Sequence, residues 1–168
     1  MGVATKWLPF ELHPETPAQG APKPFGDAEW PAIEQRLRAL AAQVGVPIEP
    51  PRRNQNSRLA LETGELVRAR KGDDAAARFH HSVSRAFFVD NGDIADLNLI
   101  ARYAGDEGVT DDDVRAAWAA HTFGPAIDES MRAAFAAGVR GVPAYGWPGG
   151  RAVSGMMEPE RIVRALGH

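Results

Sequence analysis

The 168-residue chain contains no cysteine. That excludes disulfide staples, thiolate metal ligands and any thiol nucleophile supplied from within these residues. It suits a reducing compartment. No apolar stretch approaches the ~20 residues a membrane-spanning helix needs. No basic head followed by an apolar run opens the sequence as a signal peptide would. With Met1 as the start, the expected location is cytoplasmic and no membrane partner is expected. An excess of positive charge is also missing. Lys and Arg number 19 against 22 Asp and Glu, for a formal net charge of −3 and a pI near 5.9. A general nucleic-acid binder wants a basic face, so nucleic acid is not an expected partner.

Further absences narrow the chemistry. There is no phosphate loop and no Gly-x-Ser-x-Gly elbow, and neither Ser57 nor Ser154 has a neighbouring base in sequence, which leaves a serine nucleophile weakly supported. His80 and His81 are adjacent; on a helix they point roughly 100° apart and cannot share a metal. They read as one surface and one half-buried structural histidine, and His13 and His121 read as structural too. Asp111, Asp112 and Asp113 lack the later Glu of a calcium loop and read as a helix start. Neither a metal nor a cofactor is therefore expected.

What is present is an ordinary globular composition, 44% hydrophobic and 24% charged. It fits one domain with room for an inserted subdomain. Val3 to Leu12 is rich in apolar and aromatic residues and predicts a buried strand ending at His13-Pro14. Pro14, Pro17, Gly20, Pro22 and Pro24 make the next stretch a loop. Asp27 is the expected cap of a helix with Trp30, Ile33, Leu37, Leu40 and Val44 on one face, stopped by Gly45. After a proline-bearing connection from Val46 to Arg53, Asn54 or Asn56 caps a helix whose face runs Leu59, Ala60, Thr63, Leu66, Val67 and Arg70.

Gly72-Asp73-Asp74 breaks that helix, and another is expected from about Asp74 to Val89, with Phe79, Val83, Ala86 and the Phe87-Phe88-Val89 end as core. A short helix restarts at Asp93–Asp96 and reaches Tyr103. Thr110 caps the next, from Val114 to His121, with an acidic first turn, and Pro125 to Ala137 forms the last of the block. The middle of the chain therefore reads as all-helical. Val142 to Trp147 and Arg151 to Ser154, joined by Pro148-Gly149-Gly150, read as a hairpin. A closing helix follows Glu158, with Ile162, Val163 and Leu166 on its apolar face.

Three tracts carry a resemblance: Trp7-Leu8-Pro9-Phe10-Glu11-Leu12-His13-Pro14-Glu15, Asn56-Ser57-Arg58-Leu59-Ala60-Leu61, and Gly138-Val139-Arg140-Gly141-Val142-Pro143-Ala144-Tyr145 followed by Val153-Ser154-Gly155. In this order they resemble the DsbA-like thiol-disulfide oxidoreductases. The likeness is to the FrnE-type branch, which is related to 2-hydroxychromene-2-carboxylate isomerase and kappa-class glutathione transferase.

The resemblance implies an α/β fold, a thioredoxin-like sheet with an inserted all-helical subdomain. The expected parts are a truncated thioredoxin-like portion over 1–53, a helical insertion over 54–137 and the thioredoxin-like remainder over 138–168. It also implies a cis Val142-Pro143 bond facing the site. Backbone there would pair with a thiol or disulfide substrate, or with glutathione, as an added strand. Carried over by residue, that substrate site is Gly141, Val142 and Pro143, with Asn56 at the helix mouth.

The departure is the family's first strand and Cys-x-x-Cys helix, which precede the tract at Trp7; only six residues stand before it here. No catalytic residue is therefore assigned, and the chain is expected to be a truncated member without dithiol activity of its own. Two alternatives stand beside that expectation. One is a non-catalytic binding or dimerisation module that pairs an exposed strand edge, with a homodimer as the partner state. The other is a glutathione-dependent isomerase or transferase relative.

Overall fold

Helices with one apolar stripe bury it against each other, and that packing sets the architecture. The structure, a computed structural model, describes residues 5–147 and 152–165. Among them, seven helices are formed: α1 (Trp30–Gln43), α2 (Arg58–Lys71), α3 (Asp73–Phe88), α4 (Leu97–Asp106), α5 (Asp111–Ala119), α6 (Gly124–Ala136) and α7 (Pro159–Ala165). Strands are two residues each. β1 (Ala21–Pro22) pairs antiparallel with β2 (Arg53–Asn54), and β3 (Ala144–Tyr145) with β4 (Val153–Ser154). The chain is thus mostly helical, with a small ribbon on either side of the α2–α6 block.

The core of that block joins Leu59, Leu66 and Val67 of α2 to Phe79 and Val83 of α3, Ile100 of α4, and Val109 and Val114 at the start of α5. Ile127 and Met131 bury the inner side of α6. The expected stripe of α2 is buried from Leu59 to Val67, whereas Arg70 is exposed. Its long charged side chain sits at the C-terminal end of the helix, where cations are favoured. In α3, Phe79, Val83 and Ala86 point inward as expected. Phe88 does not: it is 45% exposed and lies edge-on to Phe87, which packs on the core.

The ends of the helices follow sequence chemistry closely. Thr110 accepts a hydrogen bond from the Asp113 amide at 3.2 Å, so the acidic run is a capped first turn. Asp96 caps α4 by accepting from the Asn98 amide at 2.9 Å. α1 closes as a Schellman turn: Gly45, at φ 68°, donates to Ala42 and Val46 donates to Ala41. Its start differs from expectation, because Asp27 caps nothing. Glu29 occupies the cap and bends back to accept from the Gly26 amide at 3.0 Å. Val44 also misses the buried stripe; it is the C-cap residue, beyond the last helical turn, and is 72% exposed.

The expected strand over Val3 to Leu12 is not formed among residues 5–12. A strand needs a neighbouring ladder, and no described strand runs beside it. Helix side chains take its backbone groups instead. Arg68 Nη2 donates to the Trp7 carbonyl at 2.5 Å, Ser130 Oγ donates to the Pro9 carbonyl at 2.7 Å, and the Glu11 amide donates to Met131 Sδ at 3.1 Å. The segment is a strap laid across α2, α3 and α6. Trp7 and Leu8 stay more than half exposed.

The C-terminal hairpin is present with register Ala144 opposite Ser154 and Tyr145 opposite Val153. It is shorter than expected, since Val142 and Pro143 precede the paired residues. Its turn at Pro148-Gly149-Gly150, together with Arg151 and Leu166, lies outside the described residues.

Candidate functional site

The approach to Pro143 is built by the end of α6. Gly138, at φ 85°, donates to the Phe135 carbonyl and Val139 donates to that of Ala134, a second Schellman turn that buries Val139. Arg140 then folds back. Its Nη1 donates to the carbonyls of Phe135 and Val139 at 3.0 and 2.9 Å, and its guanidinium lies 5.4 Å from the centre of the Phe135 ring. On the far side, the Pro143 carbonyl accepts from the Gly155 amide at 2.8 Å, and the β3–β4 pairs follow.

The segment between these anchors is Gly141-Val142-Pro143. The Val142–Pro143 peptide bond is cis. Val142 is 52% exposed, and among the described residues neither of its backbone groups is hydrogen-bonded. A Cβ placed on Gly141 would meet nothing within 4 Å. The turn therefore presents an open donor and acceptor on a backbone held at both ends.

Asn56 is differently placed. Its Oδ1 accepts from the Arg58 amide at 2.9 Å, starting α2, and its Nδ2 donates to the Thr16 carbonyl at 2.6 Å. Among the described residues, no hydrogen bond joins it to Gly141, Val142 or Pro143.

Sequence reasoning missed the densest polar cluster, which centres on Arg58. Its Nε donates to Glu62, Nη1 to Glu11 and Nη2 to Asp128, each at 2.8 Å, and Nη2 also reaches the Gly124 carbonyl at 3.0 Å. Glu11 and Glu62 are buried, and among the described residues Glu62 Oε2 has no hydrogen-bond partner. Burial alone would lower the guanidinium pKa. The hydrogen bonds to Glu62, Glu11 and Asp128 outweigh it and hold the group well above its ordinary value. The Arg58–Glu62 spacing of four was a local signal. Glu11 and Asp128 stand 47 and 70 positions away, and nothing local announces them.

The histidines are scattered. His80 and His81 are both exposed, so neither is the half-buried residue expected. One ring face of His80 is nevertheless covered by Trp7, with centroids 4.4 Å apart and planes inclined by 33°. Partial burial, and secondarily His81, push the His80 pKa down. His13 contacts Glu15 at 3.3 Å, and His121 lies 3.7 Å from Glu62. Among the described residues, no group of His, Asp and Glu is arranged to hold a metal ion, and no helix is long and apolar enough to cross a membrane.

Comparisons with known proteins place this geometry. The crystal structure of a probable DsbA oxidoreductase from Streptomyces coelicolor superimposes with a TM-score of 0.76 at 22% identity, over 95% of this chain and 74% of that one. At that identity the likeness establishes the fold, a DsbA-like thioredoxin fold with a helical insertion. A comparison with curated proteins gave no match. The family model for the DSBA-like thioredoxin domain matches residues 1–167, and the chain belongs to that family.

Proposed function

We propose that this chain is a FrnE-type member of the DsbA-like family that works as a docking platform and not as a dithiol enzyme. The observation that carries the reading is the backbone of Val142, exposed beside Pro143, without a hydrogen bond among the described residues, and fixed by the Arg140 and Gly155 anchors. An extended ligand carrying a thiol or disulfide, glutathione included, would add to this edge by main-chain hydrogen bonds. Gly141 leaves room for close approach. Asn56 enters by tethering the Thr16 loop at the mouth of α2, since both ends of its amide are already engaged.

The chemistry stops at binding. Thiol-disulfide exchange needs a thiolate to attack a disulfide sulfur, and these residues contain none. The test is turnover: insulin with excess dithiothreitol should precipitate no faster with this chain than without it. Acceleration by the cysteine-free chain overturns the reading.

A second reading, a dimerisation module, draws on the strap. Leu8 is 68% and Trp7 55% exposed on this segment, an apolar surface that a second copy would cover. Sedimentation equilibrium decides it: a monomer at tens of micromolar leaves only the platform.

A further inference from the structure

Arg140 stands beside the Val142 backbone with most of its donors unused. Its Nη1 caps the end of α6, donating to the Phe135 carbonyl at 3.0 Å and to that of Val139 at 2.9 Å. The Phe135 ring, 5.4 Å from the guanidinium, backs the group from one side. Among the described residues, Nε and Nη2 donate to nothing. The carboxylates of α6 are committed elsewhere, Asp128 to Arg58 and Glu129 to Arg132. A guanidinium fixed through Nη1 keeps its Nε and Nη2 edge, a planar fork that matches a carboxylate.

We propose that Arg140 reads a carboxylate on the platform's ligand. Given the docking role proposed above, this narrows the ligand to a thiol or disulfide peptide with a carboxylate close to its paired segment. Arg140 lies two positions before Val142, a chain distance of ~7 Å at most. An extended ligand paired with Val142 advances ~3.3 Å per residue, so a carboxylate within about two residues of the paired position meets the fork.

The local charge favours an anion. The C-terminal end of α6 presents about half a negative charge, and the guanidinium answers it with a full positive one. Capping the Phe135 and Val139 carbonyls therefore leaves a positive surplus. Arg140 is exposed, so solvent screens the pair and its effect on affinity is modest.

The experiment titrates the labelled chain with oxidised glutathione, with its ester blocked at the glycine carboxylates, and with the fully esterified form. The Val142 amide and the Arg140 Nε–H are followed by NMR. The free acid should bind about fivefold tighter than the full ester, the upper end for an exposed ion pair, and should shift the Arg140 signal. The formal charge of −3 on the chain would by itself favour the more cationic esters, so the direction of the difference is diagnostic. The preference should vanish in Arg140→Gln and be partly kept in Arg140→Lys, whose ammonium has the charge without the fork. Its loss in the glycine-blocked ester assigns the contact to the peptide C-terminus, and its retention there assigns it to the γ-glutamyl carboxylate. Equal binding of acid and esters, or an Arg140→Gln variant that weakens both by the same factor, overturns the carboxylate contact and leaves the platform standing. A Val142 amide that moves with no probe removes both.

Discussion

Arg58 and Glu11 meet across 47 positions of sequence, Nη1 donating to Oε2 at 2.8 Å. The same guanidinium holds Glu62 and Asp128, so one cation ties the strap to α2 and α6. Removing it would leave two buried carboxylates unpaired, a loss of about 3–5 kcal/mol. Arg58→Met should therefore lower the urea midpoint strongly with little change in slope. Arg58→Lys should fall between, because an ammonium cannot reproduce the fork. A midpoint for Arg58→Met within error of the parent would show that the cluster contributes nothing.

The junction between α2 and α3 rests on a single residue. Gly72 sits at φ 87° and ψ 178°, ends one helix by donating to the Arg68 carbonyl, and accepts from the Ala76 amide at the start of the next. That region of backbone space is nearly restricted to glycine and costs other residues about 1–3 kcal/mol. A Cβ there would touch nothing within 4 Å, so Gly72→Ala isolates backbone strain from crowding. Thermal unfolding should show a lowered Tm.

Thr110 offers a smaller effect. Thr110→Ala removes the oxygen that accepts from the Asp113 amide, and the cost of losing such a cap is about 1 kcal/mol. Thr110→Ser keeps the oxygen and should restore most of the loss in chemical denaturation.

The helical block was legible because its signals are local. The stripe from Leu59 to Val67, the Thr110 cap and the Gly45 stop each lie within a few residues of what they determine. The strap was not legible, because strand formation at Trp7 to Leu12 depends on a ladder partner that local composition cannot supply. The Arg58 cluster was hidden for the same reason: two of its three carboxylates come from distant elements. Around Pro143 the local pattern anticipated a turn and hairpin. It did not reveal that Arg140 folds back onto Phe135 and fixes the backbone beside Val142.

The platform itself is tested most directly by NMR titration of the labelled chain with oxidised glutathione, following the amides of Gly141, Val142 and Ala144. Gly141 is outside the left-handed region and its Cβ direction is open, so Gly141→Val should leave stability unchanged while obstructing a ligand that approaches the turn. The account predicts saturable shifts at Val142 and Ala144 in the parent, reduced at least tenfold in affinity in Gly141→Val, a difference of about 1.4 kcal/mol. Amides at Val142 and Ala144 that do not respond, or that respond equally in both proteins, would contradict it.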